Sequence, residues 1–146
     1  MDFYSISKVF RKANAYGIKD SEANYSHRCI WPCVEAVIDS LQNDDILFDD
    51  GEKGLVAMEK KAGGFARYNA DGVAFLNEQR MEVLLLEISG KYGLVDRARE
   101  AYDHVKGTFG ALSMLHRILR TYKWGNQSLI HRTHVYFLHA RGIKKL

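Results

Sequence analysis

Asn69–Lys91, NADGVAFLNEQRMEVLLLEISGK, carries the strongest pattern in the chain. Val83-Leu84-Leu85-Leu86, followed by Glu87 and Ile88, is a short apolar run bounded by polar residues and Gly90, which predicts a strand covered on both faces. Glu87 closes that run, where an unpaired carboxylate is costly or titrates to neutral. It therefore needs a partner, and a metal ion is one of the few that justify the position. Tyr68–Leu76 reads as the neighbouring strand, with Asp71 at its entry, and Asn77–Arg80 as a polar turn. The two strands then form a hairpin that brings Asp71 and Glu87 level at one end of the sheet. Two carboxylates on adjacent strand ends suit a hard divalent cation such as Mg²⁺.

An acidic residue at a strand entry, a turn, and an apolar strand ending in Glu-x-(Lys) resembles the PD-(D/E)XK, or restriction-endonuclease-like, nuclease superfamily. The phrases ADGVAF, EVLLLEISG and DHVKGTFGALSML are also similar to a group of uncharacterised fungal proteins associated with it. The resemblance covers roughly Ser21–Ala140. It implies an α/β fold with an αβββαβ core, a mixed central sheet flanked by helices. It further implies Mg²⁺ or Mn²⁺ held by Asp71 and Glu87, with Glu22 of the first core helix helping. The implied activity is hydrolysis of phosphodiester bonds in DNA, or less favoured RNA; the alternative is an inactive nucleic-acid-binding or interaction module on the same fold.

The chain departs from the family pattern two residues after Glu87, where the lysine is replaced by Ser89. Lys91 has the same strand parity and faces the site if the strand persists through Gly90. Lys106, on the next helix, reaches over from above in the second arrangement, which is slightly favoured.

At 146 residues the chain is long enough for one sizeable core, with 47% hydrophobic and 27% charged residues. No apolar run approaches the ~20 residues needed to span a bilayer. The first residues, MDFYSISKVFRKANAYG, lack a signal-peptide core, so the expectation is an intracellular protein without a membrane partner. Charge is unevenly placed. His104–Leu146 holds eight Lys or Arg and no Asp or Glu, whereas the first 75 residues hold nine basic against twelve acidic residues. A one-signed second half points to a polyanion such as nucleic acid, with Arg117, Arg120, Lys123 and Arg132 as phosphate contacts. The plainer alternative is a basic face that aids solubility.

Residues 1–20 are expected to form a helical extension on the apolar spacing of Phe3, Ile6, Val9, Phe10 and Ala13, leaving 21–146 as the core domain. Asp20 or Ser21 caps the next helix, Glu22 complements its dipole, and Pro32 should kink or split it. Cys29 and Cys33 fit reduced, buried thiols better than a zinc site. Asp49-Asp50-Gly51-Glu52 reads as a solvated acidic turn, Leu55–Met58 as a first strand or a short helix, and Lys60–Gly64 as a flexible basic turn. From about Asp96 to Trp124, the recurrence of Ala98, Ala101, Tyr102, Val105, Phe109, Leu112, Leu115, Ile118, Leu119 and Tyr122 predicts a long amphipathic helix. Gly107 and Gly110 interrupt it, which suits close approach to the sheet. His134–Ala140 reads as a last strand parallel to Glu82–Ile88, and His131, His134 and His139 as structural or phosphate-facing rather than a zinc triad. The exposed face of the first helix and the unpaired sheet edges leave a homodimer open.

Overall fold

The structure is a computed structural model that describes residues 17–59 and 68–142. The expected helix within residues 1–16, the Lys60–Gly64 turn and the last four residues of the basic tail lie outside the described residues.

Ser21 is the N-cap: its hydroxyl accepts from the Asn24 amide at 3.1 Å, and α1 (Glu22–Tyr25) follows. The chain then widens into a π turn over Ser26–Ile30 before α2 (Trp31–Ser40). Pro32 explains the split. An α-helical ladder would need its missing N–H to reach Arg28; instead the Trp31 amide bonds Ser26 one residue further back. Cys29 is buried and Cys33 half-buried, both as free thiols, as the sequence suggests.

β1 (Ile46–Gly54), β2 (Asn69–Leu76), β3 (Met81–Ser89) and β4 (Tyr136–Arg141) form one mixed sheet in that order. The protein is thus α/β. β1 corrects one expectation, and the next segment settles an open one. Asp49–Glu52 is not a loop but part of this strand. Of the two readings of Leu55–Met58, the short helix holds, as a single 3₁₀ turn over Val56–Met58. β1 pairs antiparallel with β2 and lies at the sheet edge, where charged side chains reach water without cost. A bulge between Asp50 and Lys53 absorbs Gly51 and Glu52. β4 begins at Tyr136, two residues later than expected.

β2 and β3 form the expected hairpin. Gly72 faces Leu86 and Ala74 faces Leu84, after which the register slips so that Phe75 faces Glu82. Val83 is the extra residue, and the slip puts Glu82, Leu85 and Glu87 on one face of the sheet.

The long helix, α3, runs Arg97–Thr121, opened by Asp96, whose carboxylate accepts from the Arg99 amide at 3.1 Å. A short α4 (Gln127–Ile130) leads to β4. Gly107 and Gly110 do face inward. A Cβ on Gly107 would run into the Phe137 ring, and one on Gly110 would sit 2.7 Å from Leu85 and 3.0 Å from the Tyr68 ring. The predicted apolar stripe, however, does not face the core. Val105, Phe109 and Leu112 are 54%, 61% and 60% exposed, while Asp103, Gly107, Gly110 and Met114 are buried. Contact through glycines turns the helix so that its bulkiest side chains point away.

The chain divides into two compact units, each assembled from separated segments. Of the described residues, the first comprises 17–44, 88–104 and 139–142; the second comprises 45–59, 68–87 and 105–138. In the second, Leu55, Tyr68, Ala70, Val73, Leu85 and Met114 make the core, with Val135 and Phe137 packed against it.

Candidate functional site

In the second unit, Asp71 and Glu87 each lie one step beyond the facing pair Gly72 and Leu86. That register sets them opposite each other on the same face, as the hairpin requires. Glu87 is 1% exposed, and it does have partners. The Tyr68 hydroxyl donates to its Oε1 at 2.6 Å, and the Lys106 ammonium donates to its Oε2 at 2.9 Å. Lys106 also donates to the Asn69 carbonyl at 2.7 Å and lies 4.9 Å above the Tyr68 ring. Burial pushes the Glu87 carboxyl above the usual carboxylate range; Tyr68 and Lys106 oppose that rise, and the neighbouring Asp71 charge adds to it.

Lys106 contacts Glu87 at 2.9 Å. One helical turn before Gly110, where α3 lies against Leu85, its side chain needs only to extend along the sheet to reach Glu87. The parity argument for Lys91 fails. β3 ends at Ser89, Gly90 turns the chain with φ +80, and Lys91 sits in the bend, its carbonyl accepting from Leu94 at 3.1 Å.

Glu22 belongs to the first unit, where both carboxylate oxygens are taken. Oε2 accepts from the Gly90 amide at 2.8 Å and Oε1 from Arg99 at 2.7 Å. Among the described residues no three His, Cys, Asp or Glu side chains come together to hold a metal. Asp71 and Glu87 remain compatible with Mg²⁺ or Mn²⁺, because such ions bind through one or two carboxylates and keep several waters. Each Glu87 oxygen accepts one hydrogen bond here and retains a second lone pair.

Ser89 is 2% exposed and belongs to the first unit. Its hydroxyl donates to Asp103 Oδ2 at 2.7 Å and lies 2.7 Å from His139 Nε2. With its one proton given to Asp103, the serine must accept from His139, which fixes the imidazole proton on Nε2. The His139 ring also stacks on His104 with centroids 5.8 Å apart.

The candidate phosphate contacts separate into two groups. Arg117 is committed to the fold: it donates to the Arg80 carbonyl at 2.6 Å and the Gln79 carbonyl at 3.4 Å, and pairs with Glu82 at 3.6 Å. It still borders a cavity of about 610 Å³ shared with Val56, Ala57, Glu59, His116, Arg120 and Thr121. Arg120, Lys123 and Arg132 are exposed, Lys123 lying 5.2 Å over the Trp124 ring.

Tyr68 is the site residue that the sequence reading missed. Its signal is faint: a tyrosine just ahead of the strand that carries Asp71, otherwise indistinguishable from core. No protein-family profile matches the chain, and no curated protein or solved structure matches it either. The class defined here is an α/β protein with a buried acid–lysine cluster on its sheet. Among its described residues, no helix is long and apolar enough to cross a membrane.

Proposed function

We propose that Asp71, Glu87 and Lys106 form the active site of a divalent-metal-dependent phosphodiesterase acting on nucleic acid, DNA before RNA, on a restriction-endonuclease-like core. The observation that carries this reading is the Lys106–Glu87 contact of 2.9 Å on the face shared with Asp71. It restores from a helix the cation that Ser89 removes from the strand. Asp71 and Glu87 would hold Mg²⁺ or Mn²⁺, which when bound lowers the pKa of water and offsets phosphate charge. Lys106 holds a positive charge beside the site and can exchange its bond to Glu87 for one to a phosphate oxygen, where negative charge develops. Tyr68 holds Glu87 in place, so the carboxylate need not reorganise during the reaction. The basic border of the 610 Å³ cavity, His116, Arg117 and Arg120, and the exposed Lys123 and Arg132 would follow the phosphate backbone.

One observation favours a second reading. Every charge on Glu87 and Lys106 is already satisfied within the chain, as in a site retained for stability alone. A nucleic-acid-binding module of that kind would bind with strong salt dependence and cut nothing.

The deciding assay measures cleavage of labelled single- and double-stranded DNA and RNA with Mg²⁺, Mn²⁺ or EDTA, in wild type, Asp71→Asn and Glu87→Gln. Metal-dependent cutting that both variants lose, with binding retained, supports the phosphodiesterase. Cutting that survives both substitutions overturns it, and binding without cutting in wild type selects the module.

A further inference from the structure

In the first unit, one face of α3 and one face of β4 line an open pocket of about 440 Å³. Its walls are Arg97, Glu100, Ala101, His104, His139 and Arg141. The spacing explains the grouping. Residues 97, 100, 101 and 104 share one helix face, and residues 139 and 141 share one strand face. The volume lies in the range of small-molecule sites.

The chemistry of the walls is that of an anion site. Two guanidiniums and two imidazoles face a single carboxylate. That carboxylate, Glu100, lies 3.8 Å from Arg141, too far for a good hydrogen bond, so the pair leaves both groups able to reorient. Arg97 is exposed at the mouth of the pocket. The histidine is pre-positioned by buried groups: His139 is anchored on Ser89, itself bonded to Asp103. We propose that this pocket binds a phosphomonoester, either a free small-molecule phosphate or the terminal phosphate of a nucleic-acid strand. The planar forks of Arg97 and Arg141 suit bidentate contact with phosphate oxygens, and the pocket leaves room for the group to which the phosphate is attached.

The site should take up a proton with its ligand. Burial holds the His139 imidazole below its usual range, and the nearby Arg141 and His104 add to this, while Asp103 and Glu100 oppose it. An incoming dianion reverses the balance, so His139 gains its second proton on binding and affinity rises as pH falls toward the usual histidine range. None of the six wall residues belongs to the Asp71–Glu87–Lys106 cluster, so the inference stands or fails independently of the phosphodiesterase reading.

The test follows the His104 and His139 ring resonances by NMR while inorganic phosphate, adenosine monophosphate, and 5′-phosphorylated or 5′-hydroxyl oligonucleotides are added in the absence of divalent metal. Saturable shifts with phosphate and adenosine monophosphate, and a rise in the His139 titration midpoint, are expected. Displacement of phosphate by the 5′-phosphorylated but not the 5′-hydroxyl strand assigns the strand terminus as the source. Displacement by the mononucleotide alone assigns a free metabolite. Arg97→Gln with Arg141→Gln should weaken phosphate binding at least tenfold with an unchanged circular dichroism spectrum. Absence of shifts in the wild-type protein overturns the proposal without any variant, as do shifts that persist undiminished in the folded double variant.

Discussion

Glu82 and Glu87 leave β3 on the same face, and burial pushes both carboxyls above their usual range. Their donors differ in kind. Glu82 accepts the amides of Val56 and Ala57 at 2.6 and 2.8 Å, pinning the 3₁₀ turn to the sheet, with Arg117 at 3.6 Å. Glu87 accepts only side-chain donors, Tyr68 and Lys106. A backbone amide cannot be withdrawn without breaking the fold, whereas a lysine or a tyrosine can trade its bond for one to an incoming group. Of two buried acids five positions apart, one is therefore a fastening and the other is able to do chemistry.

The contrast is tested most severely at Lys106. Lys106→Met strips the partner from a nearly inaccessible carboxylate, and loss of one member of such a pair costs ~3–5 kcal/mol. Urea denaturation should show that loss, and the double variant Lys106→Met with Glu87→Gln should recover most of the stability but no cleavage. A loss under ~1 kcal/mol in the single variant would mean that Glu87 is already neutral, because a neutral acid needs no cation.

Glu82→Gln comes next. Its amide nitrogen must face one of two backbone donors, which leaves a buried N–H unsatisfied at a cost of ~1–3 kcal/mol. Cleavage per folded molecule should be unchanged, since the residue holds the turn and Arg117 but touches neither Asp71 nor Lys106 in the proposed site. Glu87→Gln should be gentler still, within ~1 kcal/mol of wild type, because the amide oxygen can accept from Lys106 while its NH₂ donates to a rotated Tyr68 hydroxyl. Cleavage should nevertheless vanish. If the stability order of the two Gln variants is reversed, the division between fastening and working acid fails.

How much of this could be read beforehand depends on the range over which each signal acts. The apolar run of β3 and the four-residue turn at Asn77–Arg80 are local, so the hairpin and the facing of Asp71 and Glu87 follow from them. β1 was hidden because an edge strand tolerates Asp49, Asp50 and Glu52, and charge in a sequence looks the same on an edge as in a loop. On α3, hydrophobic periodicity marks the greasiest side of the helix, not the side that packs. Here the packing side is set by Gly107 and Gly110, whose contribution is close approach, and the apolar stripe through Phe109 and Leu112 is left exposed. The Lys106–Glu87 contact depended on that same rotation, so it could be named only as one of two alternatives. Tyr68 needed the full tertiary arrangement.

The smallest expected effect concerns pH and tests whether burial or hydrogen bonding governs Glu82. Its carboxyl is raised because burial outweighs the two backbone donors and Arg117. Between the usual carboxylate range and that raised value, the folded chain keeps a proton that the unfolded chain has lost. Stability then falls as pH rises through the window. Glu82→Gln has no proton to lose there, so its own curve lacks that fall, and the stability gap between wild type and variant should narrow with rising pH. Denaturation midpoints taken at a series of pH values supply the comparison. A gap that widens instead would show that the Val56 and Ala57 amides prefer the charged form strongly enough to overcome burial, making the fastening itself an anion site built from backbone donors.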